Sequence, residues 1–205
     1  MNFLEFKNKM VDLACFSVDQ VYAWQPGFDR NNLSRWTKKG LLVRLRQGYF
    51  TFPEFIGKPN FAFYFANRIY RPSYISLHTA LSFYGLIPES VVQITSVSTL
   101  KTASFANPIG EYAYKSIKQE LMFGYEMKPL PDGRTLLMAS PEKALLDLLY
   151  LYPQYHTTTD LLDLRLDEDY LHDDLKVDVM KNYTAAFKSK VFDNRVYRLF
   201  IAYGI

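Results

Sequence analysis

Apolar residues Phe3, Phe6, Met10 and Leu13 recur at helical intervals and predict a first helix over residues 2–14. Ser17 stands where an N-cap belongs, ahead of a short helix over 18–24 that Pro26-Gly27 ends. Asp29 offers the next N-cap, for a helix over 30–39. Gly40 then supplies a left-handed stop after Lys38 and Lys39, whose charges suit the negative end of a helix dipole. Residues 42–46 and 49–52 are β-rich runs around Gln47-Gly48, the pattern of a hairpin. Three helices followed by a hairpin predict a winged helix-turn-helix.

Pro53 and residues 57–59 punctuate the chain and predict a boundary, with one domain over 1–58 and a second over 59–205. The second region opens with an aromatic-rich helical stretch, 61–70. Ser76 is a candidate cap for a helix with an apolar face of Leu77, Ala80, Leu81 and Tyr84, ended by Gly85 and Pro88. Strands are expected over 91–100, 112–117, 121–127 and 134–138, with Pro131-Asp132-Gly133 as a tight turn. Ser140-Pro141-Glu142 reads as a helix start: a cap, a proline at the first helical position and an acid near the positive end. Residues 160–204 are expected to be helical, including 177–188. The fold class is therefore α+β, a winged helix-turn-helix followed by a mixed α/β domain.

Composition narrows the class. The chain has 205 residues, 49% hydrophobic and 22% charged, enough for a sizeable core without staples. A single cysteine, Cys15, excludes an internal disulfide framework and a cysteine-rich zinc site. No apolar run has the length of a membrane span, and the start, with Glu5, Lys7 and Lys9, is not expected to be a signal peptide. A cytoplasmic protein is expected.

The net charge of +3 conceals an asymmetry. Residues 30–48 hold six cations and no acid, whereas residues 160–178 hold eight acids against two cations. At 100° steps along the third helix, Asn31, Ser34, Arg35 and Lys38 fall on one side, and Leu33, Trp36 and Gly40 on the other. One side packs. The other presents groups suited to the major groove: Arg to guanine, Asn to adenine, Lys and Ser to phosphates. Arg44, Arg46 and Gln47 add a wing. The expected DNA-contacting set is Arg30, Asn31, Ser34, Arg35, Lys38, Lys39, Arg44, Arg46 and Gln47. If all six cations met phosphates, log K would fall against log salt with a slope of roughly −5. The acidic stretch, interspersed with leucines, reads either as a solvated helical face or as a surface that docks a basic protein.

Signals for an enzyme are thin. His78, His156 and His172 lack metal-ligand spacing, and His78 reads as a half-buried structural residue. There is no phosphate-cradling glycine loop and no G-x-S-x-G elbow. Asp132 with Glu142-Lys143 approaches a metal-dependent nuclease pattern, but the lysine is out of register and Asp132 suits the turn before Gly133. Cys15 reads as a buried thiol. No catalytic residue, metal or cofactor is expected.

Several blocks together resemble the AbiEi antitoxin family of type IV toxin–antitoxin systems. They are residues 32–36 (Asn-Leu-Ser-Arg-Trp) to Gly40, 45–49 (Leu-Arg-Gln-Gly-Tyr), 72–77 (Pro-Ser-Tyr-Ile-Ser-Leu), 84–89 (Tyr-Gly-Leu-Ile-Pro-Glu), 94–97 and 139–147 (Ala-Ser-Pro-Glu-Lys-Ala-Leu-Leu-Asp). The resemblance covers most of the chain. It implies a winged helix that represses the protein's own operon, a second domain needed for antitoxin action, and a nucleotidyltransferase-like toxin as partner. By position it also implies that Asn31, Ser34, Arg35 and Lys38 face operator DNA, with Arg44 and Arg46 in the wing. The residues themselves leave open a plain transcription factor whose second domain senses a ligand or dimerises.

Overall fold

A computed structural model describes residues 2–89 and 91–205. The protein is a mixed α+β fold with two sheets. Helix α1 (Phe3–Met10) buries Phe6 and Met10 and runs into a 3₁₀ turn, Val11–Leu13. The helix expected over 2–14 thus ends early, where Ala14 turns to φ +54°. The chain then enters β1 (Cys15–Ser17), a strand too short to show an alternation in sequence. Ser17 caps α2 (Val18–Trp24) as expected. Its hydroxyl accepts the Gln20 N–H while the Gln20 side chain accepts the Ser17 N–H, so two otherwise unpaired donors are satisfied.

Helix α3 (Asn31–Lys38) starts one residue later than expected. Arg30 is the N-cap residue, already in helical conformation, and its side chain makes no capping bond. Asp29 serves from one position upstream, its carboxylate accepting the Asn31 N–H at 3.0 Å. The far end matches the expected glycine stop. Gly40, at φ +71°, lets the Leu41 N–H reach the Trp36 carbonyl at 2.9 Å and its own N–H reach Thr37 at 3.0 Å. Strands β2 (Val43–Arg46) and β3 (Tyr49–Thr51) form the hairpin, and β3 is the centre of an antiparallel sheet ordered β1-β3-β2.

A 3₁₀ turn (Pro53–Phe55) and exposed residues 56–60 lead to α4 (Phe61–Ile69). A second sheet follows, ordered β6-β7-β5-β4-β9-β8. Its strands are β4 (Ser73–Ile75), β5 (Gln93–Ser98), β6 (Ala103–Asn107), β7 (Gly110–Ser116), β8 (Tyr125–Pro129) and β9 (Thr135–Ala139). β5 and β7 are parallel, as are β4 and β9; the remaining pairs are antiparallel. The strand expected over 121–127 is displaced to β8. Gly124, at φ +67°, breaks the run, and a Cβ there would stand 2.9 Å from the Tyr183 ring and 3.0 Å from the Lys143 stem.

Helices α5 (Leu77–Phe83) and α6 (Pro141–Leu151) cover the face of this sheet opposite to α4. The register shows why. Tyr114 is aligned with Ser96, which is aligned with Ile75, and Tyr114 donates to the Ala66 carbonyl of α4 at 2.8 Å. Tyr74, one residue from Ile75, points the other way and donates to Asp147 of α6 at 2.8 Å. The C-terminal region is helical as expected: α7 (Thr158–Leu162), α8 (Glu168–Asp173), α9 (Val177–Ala185) and α10 (Lys190–Tyr203). Leu161, Leu164, Leu166, Leu171 and Leu175 are buried, while the acids from Asp163 to Asp178 are exposed. Among the described residues no helix is long and apolar enough to cross a membrane.

Candidate nucleic-acid interface

The core fixes which side of α3 faces out. Leu33 and Trp36 are buried, and the Trp36 ring lies 4.7 Å from Phe6, 5.3 Å from Phe3 and 5.9 Å from Phe28. With that side anchored in aromatic packing, Arg30, Asn31, Ser34, Arg35, Lys38 and Lys39 are all exposed. Arg35 is also tethered. Its guanidinium donates to Asn32 at 2.6 Å and to Asp29 at 3.2 Å. Asp29 lies one residue before the acid-free window 30–48. An exposed pair of this kind contributes about 0–1 kcal/mol and yields readily to a phosphate or base.

In the hairpin, Arg44 and Gln47 are exposed. The turn is held against α2 by the Val18 N–H, which reaches the Gly48 carbonyl at 2.9 Å, so hairpin and helices keep a fixed relation. Arg46 departs from the sequence expectation. A register shift between Arg44 and Arg46 turns its side chain toward the second sheet. Its guanidinium donates to the Ile69 carbonyl at 2.9 Å and lies 4.9 Å from both the Tyr70 and Phe105 rings. A cation with a carbonyl and two ring faces around it is a joint between segments, not a free surface charge.

Further contacts join the same segments. Tyr64 donates to the Leu13 carbonyl at 3.1 Å, and Asn107 donates to the Leu45 carbonyl at 3.0 Å. Arg134 donates to the Asp12 carbonyl at 2.8 Å while its guanidinium lies 5.1 Å from the Phe55 ring. The apolar core runs without a break from Phe6 to Tyr203.

A second polar cluster has the opposite character. Ser140 accepts the Lys143 N–H, the expected cap, but the Ser140-Pro141-Glu142-Lys143 segment does more than cap. Lys143 and Asp147 are ion-paired and fully buried. Asp147 also accepts from Tyr74 and from Ser76, each at 2.8 Å, and Lys143 donates to Tyr74 at 3.0 Å. Ser76 therefore does not cap α5 as expected; its hydroxyl serves the carboxylate. Glu142 accepts the Lys176 N–H at 3.0 Å. Burial pushes the Lys143 ammonium down and the Asp147 carboxyl up, and their mutual attraction opposes both shifts. Burial also raises the Tyr74 hydroxyl well above its ordinary range. With no exposure of Lys143, Tyr74 or Asp147, the cluster is a structural bolt between β4 and α6. The signal for it in the sequence was a Lys and an Asp four residues apart on a helix rich in leucine.

The remaining chemical candidates are quiet. Burial pushes the Cys15 thiol up to about 12, far from the thiolate a nucleophile needs. His78 is half-buried against Tyr152, and burial lowers its pKa. Asp132 accepts the Arg134 N–H in the turn at Gly133, as its turn reading requires. Among the described residues no three His, Cys, Asp or Glu side chains converge on a common point. No protein-family model matches the chain, and no curated protein matches it.

Proposed function

We propose that residues 2–58 form a winged helix-turn-helix that binds double-stranded DNA, with α3 in the major groove and the β2–β3 hairpin as the wing. The observation that carries this reading is the exposed row Asn31, Ser34, Arg35 and Lys38, on a helix whose other side is locked by Leu33 and Trp36. The element order and the β1-β3-β2 sheet support it, since they place the Arg44 hairpin after the α2–α3 pair. Arg30, Lys38, Lys39, Arg44 and the tethered Arg35 supply phosphate and base contacts. Arg46 is assigned to the joint with the second segment.

The same reading extends to biology through the resemblance to the AbiEi family. The chain is proposed to repress its own operon by occupying the promoter, and to act as the antitoxin of a type IV module whose toxin is nucleotidyltransferase-like. It is proposed to be non-enzymatic in this role.

Fluorescence anisotropy with the DNA upstream of the gene, against scrambled DNA at two salt concentrations, tests the first part. The expected result is sequence-selective binding whose salt slope does not exceed about −4.5, the limit for five phosphate contacts. Equal, weak binding to both DNAs sinks the reading. Growth of cells expressing the neighbouring gene, with and without this chain, tests the second part; no rescue removes the antitoxin role and leaves the regulator.

A further inference from the structure

β4 and β9 are paired at only one position, Ile75 with Met138. Upstream of that pair Asn67, from α4, reaches in, and its Oδ1 accepts the Leu137 N–H at 2.7 Å. That bond fixes the amide, so Nδ2 faces away from Leu137, where it has no hydrogen-bond partner. The Ser73 hydroxyl is also without a partner. Neither is a surface group: Asn67 is 8% exposed and Ser73 is 4% exposed. A buried polar group left unpaired costs about 1–3 kcal/mol, so two in one place mark a site that awaits an acceptor.

Both groups line one cleft of about 380 Å3. Arg68 and Arg71 line it too, the Arg68 guanidinium lying 4.9 Å from the Tyr64 ring, and among the described residues no carboxylate does. Every side chain there with a charge is a cation, and the Asn67 Nδ2 and Ser73 Oγ lie buried in the residues that form its wall. Tyr125 and Met122 form an apolar wall, with one Tyr125 face stacked on Tyr74 at 4.8 Å.

We propose that this cleft binds a small organic phosphomonoester. Two guanidiniums balance the charge of a phosphate near pH 7, which approaches −2. The Asn67 amide and Ser73 hydroxyl, just beneath the wall, supply hydrogen bonds to the remaining oxygens once a small side-chain shift brings them into reach. The volume exceeds that of a bare phosphate and lies within the usual range for small-molecule sites. The organic part then lies along Tyr125 and Met122. This assignment does not depend on DNA binding, because none of its residues belongs to α3 or the hairpin.

The test is calorimetric titration of the full chain at constant ionic strength with phenyl phosphate, inorganic phosphate and phenol. Phenyl phosphate is expected to saturate one site, more tightly than inorganic phosphate, with no heat from phenol. Asn67→Asp keeps an acceptor for Leu137 and reverses the orphan donor; it should raise Kd by about tenfold or more. Ser73→Ala should weaken binding without lowering Tm, since Ser73 Oγ bonds to nothing in the protein. Lys38→Ala should leave the titration unchanged. Equal affinity for phosphate and phenyl phosphate, binding that survives Asn67→Asp, or binding lost in Lys38→Ala overturns the proposal. No heat from any probe also overturns it and assigns the cleft to water.

Discussion

Helices α3 and α6 each carry cations beside a carboxylate, and they use them in opposite ways. In α3, Arg35 leans on Asp29 at the exposed surface, where the pair is screened and contributes little. In α6, Lys143 and Asp147 meet with no solvent at all, and Tyr74 and Ser76 complete the shell. The first arrangement leaves its charges available to another molecule. The second turns its hydrogen bonds inward and exposes none of its charge. Charge type alone does not distinguish function from architecture; the helix's other residues do. In α6 every residue from Glu142 to Leu149 is buried, whereas in α3 only Leu33 and Trp36 are.

The largest expected effect breaks the buried member. Asp147→Ala leaves Lys143 without its counter-charge and should destabilise by about 3–5 kcal/mol in urea denaturation. The paired change Lys143→Met with Asp147→Leu should restore much of that loss. An Asp147→Ala midpoint equal to wild type would show that the pair bolts nothing. Trp36→Ala removes the aromatic anchor of α3 and should also cost about 3–5 kcal/mol. An unchanged melting curve would mean that the exposed row on α3 lacks a fixed backing.

Substitutions on the exposed member should leave stability alone and act on DNA. Lys38→Ala and Arg44→Ala should each shift stability by less than about 0.5 kcal/mol and reduce the salt slope of DNA binding by about 1. Arg46→Ala should do the reverse, lowering Tm and sparing the salt slope. A reduced slope in Arg46→Ala would return that residue to the wing.

The smallest effect concerns His78, whose folded pKa lies below the ordinary histidine value of 6.5 because burial penalises its charge. Between the folded pKa and 6.5 the unfolded chain binds more protons, so stability falls as pH drops through that window. His78→Phe should flatten that part of the Tm–pH curve relative to wild type. Parallel curves would mean that the ring titrates freely.

Much of the N-terminal segment was legible because its signals are local. The Ser17 capping box and the Gly40 stop need only neighbours in sequence, and both form as expected. What escaped was decided by partners far along the chain. Ser76 looks like a cap until Asp147, 71 residues away, claims its hydroxyl. Arg46 looks like a wing residue until a register shift delivers it to Ile69, Tyr70 and Phe105. β1 and β4 have three residues each, too few for any periodicity to be seen. The cleft between β4 and β9 depends on a strand pairing that stops after one residue pair, which no local pattern encodes.

The joint built from Arg46, Arg134, Tyr64 and Asn107 limits how such a protein can change over generations. The first 58 residues are not a cassette to be moved onto another body by recombination. A transplanted copy would arrive without Arg134 beneath Phe55 or α4 beneath β1. If α3 reads DNA as proposed, new sequence preferences would have to arise one surface side chain at a time on that helix, with the frame behind it inherited whole.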